Sequence, residues 1–214
     1  MRNAQFVPAQ VPGSKSTLVV LHGRGDSSAG FKWLPGALNL PHLNYLLLNA
    51  PDEWGPSFAP GYSWYDRPPN QAPGIVRSRK LLFALLAELQ EQHGLQSSDI
   101  GLLGFSQGCL MCIDVGLRWP HRLAGVVGIS GYVFFEDEYP RAFSAEAKNH
   151  AWLITHGTHD DLLPIAHTAP QIKRLISFGV PMAWREYDKE HTIDQGRELA
   201  DIRTFLTSVF NLGQ

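Results

Sequence analysis

The chain has 214 residues, 44% of them hydrophobic and 18% charged, with 18 basic and 20 acidic side chains and a formal net charge of −2. That composition fits one folded domain over residues 1–214 and excludes a disordered chain. It gives no support to a nucleic-acid surface, because the longest basic cluster, Arg77, Arg79 and Lys80, reads as the solvated start of a helix.

Met1-Arg2-Asn3-Ala4-Gln5 lacks the apolar region of a secretory signal, and no apolar stretch approaches the roughly 20 residues of a membrane-spanning helix. Gly at position 2 and a C-terminal Cys box are both missing, so no stable membrane anchor is expected and a cytoplasmic location is. Cys109 and Cys112 share a C-x-x-C spacing but sit among Leu110, Met111, Ile113 and Val115. They read as small hydrophobes of a buried helix rather than as a redox pair or half a zinc site. Neither metal nor cofactor is expected.

In chain order, residues 5–11 could add an antiparallel edge strand, weakened by Pro8 and Pro12. Apolar runs of strand length follow at Thr17–Leu21 and 45–48, then at 100–104, Gly125–Ile129, 152–155 and 183–187. Helical periodicity fills the gaps. Residues 75–93 carry Leu81, Leu82, Leu85, Leu86 and Leu89 with Gly94 as C-cap; 106–119 stops before Pro120; 164–178 stops at Gly179; the last helix runs from about 194 to 210. Such alternation specifies an α/β doubly wound sheet, mostly parallel, with helices on both faces. Runs such as Leu18-Val19-Val20-Leu21 are apolar on both sides, as central strands must be.

Two segments depart from this pattern. Residues 50–73 hold Trp54, Phe58, Tyr62, Trp64 and Tyr65 among Pro and Gly, and residues 131–143 hold Tyr132, Phe134, Phe135 and Tyr139 beside acidic side chains. Long loops at the carboxyl ends of parallel strands form ligand sites. The aromatics therefore read together as a substrate groove, with Trp64, Tyr65, Phe134 and Leu162 as candidate substrate-binding residues. Exposed rings in residues 50–73 could also serve a homodimer contact.

Gly104-Phe105-Ser106-Gln107-Gly108 matches G-x-S-x-G where a strand meets a helix. Chance alone gives such a pentapeptide in roughly one chain in ten; the strand–turn–helix context makes Ser106 a candidate nucleophile. A nucleophilic serine needs a base, and the base a carboxylate, in the order Ser, Asp, His on this architecture. Residues 152–155 run into His156-Gly157-Thr158-His159-Asp160-Asp161, where either aspartate could serve. Of the downstream histidines, His167 falls inside a helix, whereas His191 follows the last strand and is the better base. The loop after the first apolar strand, His22-Gly23-Arg24-Gly25-Asp26, nominates the backbone N–H of Arg24, with that of Gln107, as the oxyanion hole.

With these motifs placed, the chain resembles the phospholipase/carboxylesterase family of small α/β-hydrolases, which includes the acyl-protein thioesterases. The resemblance rests on His22–Asp26 as His-Gly-x-Gly-Asp, the Gly-Phe-Ser-Gln-Gly elbow, Ser63-Trp64-Tyr65-Asp66, and His-Gly-x-x-Asp-x-hydrophobic-hydrophobic-Pro ending at Pro164. It implies an α/β-hydrolase fold without a large cap domain, and it selects Asp160 over Asp161 as the acid. It also implies hydrolysis of small carboxylic esters, acyl thioesters or lysophospholipids without a cofactor. The family commonly carries Leu where Arg24 stands; a guanidinium there would favour substrates with a carboxylate or phosphate, or would point to solvent. A peptidase or amidase on the same fold and a non-catalytic binding protein are the alternatives.

Overall fold

The computed structural model describes residues 4–56 and 60–212; Phe58, among the groove aromatics, lies outside the described residues. Nine strands are described: β1 (Gln5–Val7), β2 (Thr17–Leu21), β3 (Asn44–Leu48), β4 (Asp52–Trp54), β5 (Gly61–Ser63), β6 (Ile100–Phe105), β7 (Gly125–Ile129), β8 (Ala151–Gly157) and β9 (Met182–Tyr187). The helices are α1 (Leu34–Leu38), α2 (Gln71–His93), α3 (Gln107–Arg118), α4 (Ile165–Ser177) and α5 (Arg197–Val209).

Seven strands form one sheet in the order β1-β3-β2-β6-β7-β8-β9, with β1 antiparallel to β3 and every other pair parallel. Strand β1 stops at Val7, before Pro8, because proline has no N–H to give the ladder. The period-two alternation of the strands divides the core. Val19, Leu21, Leu102, Val126 and Ile154 face α2, α3 and α4. Leu18, Val20, Leu103, Val127 and Leu153 face α1 and α5. Strands apolar on both faces thus lie between two helical layers, as expected.

Three features differ from the sequence expectation. Residues 50–73 contain a two-stranded hairpin, β4 with β5, and α2 begins at Gln71 rather than near residue 75. Trp64 and Tyr65, in the same segment, are buried in the core, whereas Trp54 and Tyr62 are half-buried. Finally, Arg79 is not a solvated helix-start residue. Its guanidinium grips both oxygens of buried Asp114 at 2.6 and 3.0 Å, and Arg118 adds a third bond at 3.1 Å. Helix α3 is buried through Leu117, so a carboxylate on it needs cations brought from outside.

No helix among the described residues is long and apolar enough to cross a membrane. Cys109 and Cys112 are free and buried on α3, and burial pushes the Cys109 thiol up to about 12. Thiols held protonated in this way are poor nucleophiles and poor ligands.

Candidate active site

Strand β6 delivers the chain to Ser106, which takes φ 55° and ψ −114° before α3 begins at Gln107. A non-glycine residue there is strained by about 1–3 kcal/mol, and its surroundings must hold it. They do so from both sides. The Ser106 N–H donates to the Ile129 carbonyl at 2.9 Å, while the glycines of the elbow permit backbone contact. A Cβ on Gly104 would overlap the Gly108 carbonyl, and one on Gly108 would overlap the Leu21 carbonyl. The G-x-S-x-G spacing is thus the condition for β6, α3 and the end of β2 to meet.

Three side chains from separate loops converge at this point. His191, after β9, places Nε2 2.9 Å from Ser106 Oγ and Nδ1 2.7 Å from Asp160 Oδ2. Asp160 is nearly buried, and its other oxygen, Oδ1, accepts the N–H groups of Leu162 and Leu163 at 3.1 and 2.8 Å. Those bonds fix the carboxylate plane and leave Oδ2 for the imidazole. Asp161 is exposed and makes no such contact. The two loops are tied together, since Thr158 N–H donates to the Tyr187 carbonyl and His159 N–H to the Lys189 carbonyl. An imidazole so oriented can take a proton from the serine and return it to a leaving group.

The loop after β2 lies against the elbow. Gly25 N–H donates to the Tyr62 carbonyl and Tyr62 N–H to the Asp26 carbonyl, each at 2.8 Å, so the hairpin braces this loop. Among the described residues no protein acceptor meets the N–H of Arg24 or of Gln107. Free N–H groups beside the nucleophile, one at a helix N-terminus, can receive a developing oxyanion.

The Gln107 side chain has a part that its backbone role did not suggest. Its Oε1 accepts from Trp64 N–H and Ser63 Oγ at 2.9 and 3.1 Å, and its Nε2 donates to the Tyr65 carbonyl at 2.8 Å. Trp64 in turn donates from Nε1 to the His22 carbonyl at 2.9 Å. Ser63, Trp64 and Gln107 therefore join the hairpin, the β2 loop and the elbow into one unit.

A cleft of about 520 Å³ opens over Ser106. Of the candidate substrate-binding residues, Tyr65 and Leu162 line it. Trp64 does not, being fully buried, and Phe134 instead packs edge-on against Phe135 with ring centroids 4.9 Å apart. Tyr132 is the ring from residues 131–143 that reaches the cleft, where it accepts a hydrogen bond from Gln71 Nε2 at 3.2 Å. His167 also lines the cleft, from α4, but His191 holds the serine. Among the described residues, no group of His, Cys, Asp and Glu side chains is placed to hold a metal ion.

A model of the phospholipase/carboxylesterase family matches residues 3–210 of this sequence. The chain belongs to that family. It is 34% identical over 172 residues to acyl-protein thioesterase 1 of Schizosaccharomyces pombe, covering 76% of each protein. It is 30% identical over 190 residues to the Emericella nidulans protein of the same name, covering 77% of each. Among solved structures, esterase PE8 superposes with a TM-score of 0.84 at 27% identity, over 96% of this chain and 98% of that one. Zea mays acyl-protein thioesterase 2 matches with a TM-score of 0.81 at 22% identity, over 97% and 99%, a likeness of fold. The fold is that of the α/β-hydrolases, and this family member is a hydrolase of the carboxylesterase/thioesterase type.

The family signature also carries two histidines that support the site from below. His22 donates from Nδ1 to the Gly23 carbonyl and accepts the Ala50 N–H on Nε2 at 3.1 Å. His156 donates from Nε2 to the Leu163 carbonyl at 2.7 Å and stacks on Trp184. Away from the site and outside that signature, a third buried histidine, His150, accepts the Leu123 N–H at 3.2 Å and donates to the Gly116 carbonyl at 3.0 Å. Burial lowers all three below the usual histidine value of 6.5, His150 to about 4. The unfolded chain then binds protons below pH 6.5 that the folded chain refuses, so this contribution is whole above 6.5 and is lost as pH falls toward 4. The Tm is expected to decline already between pH 6.5 and about pH 5, ahead of most carboxylate protonation. A Tm that stays level across that window would contradict the neutral assignment.

Proposed function

We propose that Ser106, His191 and Asp160 are the catalytic triad of a hydrolase of small carboxylic esters, acyl thioesters or lysophospholipids. The observation that carries this reading is the continuous chain Asp160 Oδ2–His191 Nδ1 at 2.7 Å and His191 Nε2–Ser106 Oγ at 2.9 Å, set on a strained strand-to-helix elbow. In the first half-reaction Ser106 Oγ attacks the acyl carbon while His191 Nε2 takes its proton. The carbonyl oxygen becomes an oxyanion facing the N–H groups of Arg24 and Gln107. Asp160 stabilises the imidazolium, which then protonates the departing alkoxide or thiolate. Water activated by the same imidazole releases the acid from Ser106. Two fungal relatives named acyl-protein thioesterase 1 support the thioester branch of this range.

The test is covalent labelling with a fluorophosphonate probe, followed by turnover of matched p-nitrophenyl esters and p-nitroanilides. The wild type is expected to be labelled and Ser106→Ala not, with ester turnover well above anilide turnover. Equal labelling of the two proteins would remove Ser106 as the nucleophile, and faster anilide cleavage would make the protein an amidase.

A further inference from the structure

One recess is lined by His191 and another by Ser106, and their charges differ. The smaller, about 290 Å³, is lined by Asp26 with Phe31 and Trp33. The larger, over Ser106, has among the described residues no Asp or Glu in its lining, and its one permanent charge is the guanidinium of Arg24. That guanidinium has no carboxylate partner among the described residues. Its Nε is buried without an acceptor, and Nη2 reaches the Asp66 carbonyl only at 3.5 Å. It is nevertheless held in place, because it lies over the Trp54 ring at 5.5 Å, with Arg67 over the same ring at 4.9 Å. An arginine kept beside a nucleophile with no carboxylate on its fork is preorganised for a planar oxyanion.

We infer that Arg24 makes this cleft a site for acyl esters whose acyl chain carries a terminal carboxylate. A monoanion suits it better than a phosphate, which carries about −1.5 to −2 at neutral pH and would need a second permanent cation in the lining. The backbone N–H of Arg24 faces the oxyanion under the function proposed above, on which this inference rests. A carboxylate reaching its guanidinium must therefore sit about one arginine side chain away from the acyl carbon. Adipate, with four methylenes between its carboxyl groups, matches that length.

The experiment compares kcat/KM for mono-4-nitrophenyl adipate with that for 4-nitrophenyl hexanoate, at low and at high KCl. The ratio of the two is expected to fall at least about tenfold in Arg24→Leu, to fall less in Arg24→Lys, and to fall in the wild type as salt is raised. Taking the ratio within each protein cancels any general effect of the substitution on turnover. Equal ratios in wild type and Arg24→Leu would overturn the inference. Adipic acid monoamide, a monoanion of the same length, supplies a readout that needs no turnover: it is expected to raise the Tm of the wild type and not that of Arg24→Leu. Should neither ester be hydrolysed, the triad reading fails, while the Tm shift with the monoamide still decides the anion site, its absence sinking it.

Discussion

Replacing Ser106 with Ala is expected to lower kcat on an activated ester by about 10⁴- to 10⁶-fold with little change in KM, because the triad acts as a unit. The more informative companion is Asp160→Asn. Two backbone N–H groups, of Leu162 and Leu163, point at the Oδ1 position and demand an acceptor there. An asparagine at 160 must therefore place its carbonyl oxygen on that side and turn its NH₂ toward His191 Nδ1. The imidazole is then driven into the tautomer with its proton on Nε2, which donates to Ser106 and cannot accept from it. A loss of about 10⁴-fold in kcat is expected without a large change in Tm. Asp161→Asn, on an exposed carboxylate, is expected to stay close to wild type. Comparable losses at 160 and 161 would dismantle the assignment, as would more than a trace of activity in Ser106→Ala once contaminating hydrolases are removed.

How much of this was legible beforehand follows from the range of each interaction. The parallel sheet was readable because strands such as Thr17–Leu21 bury both faces, leaving an unbroken apolar run that no other element needs. The meeting of Ser106 and His191 was readable because a strand-to-helix turn and the loop after a last strand are local features with a fixed chain order. Asp160 and Asp161 are adjacent, and what separates them is the direction of two N–H groups that exist only once the loop after β8 has folded. Arg79 reads as solvated because its partner, Asp114, lies on the next helix. Trp64 reads as a groove residue because aromatic density marks both grooves and cores; the distinction is made by the Gln107 carboxamide and the His22 carbonyl, both distant in sequence. Phe134 and Tyr132 differ in the same way. They lie two residues apart in an irregular loop with no period to tell the ring that meets the cleft from the one that packs.

The loop carrying His191 is held by a feature without a sequence signal, and it leads to the second large effect. Lys189 and Glu198 are both buried, and Lys189 Nζ lies 2.7 Å from each oxygen of Glu198. The same ammonium donates to the Thr192 carbonyl at 2.6 Å and reaches Ser130 Oγ at 3.3 Å, so it spans the chain across His191. Glu198 also accepts the Asp194 N–H at 2.8 Å, while Asp194 accepts the Glu198 N–H at 3.1 Å and closes the start of α5. Glu198→Leu leaves a buried ammonium without its counter-charge, which costs about 3–5 kcal/mol. At about 2–4 °C per kcal/mol for a chain of this size, the Tm is expected to fall by about 6–20 °C. Pairing it with Lys189→Met removes the stranded charge, and much of the Tm is expected to return. The kcat should not return with it, since Thr192 has lost its donor and the His191 segment its clamp. Fluorophosphonate labelling of Ser106, measured well below the Tm of the double variant, separates the two effects. Slow labelling in a thermally restored protein identifies the pair as the support of His191, and labelling at the wild-type rate would leave it a contribution to stability alone.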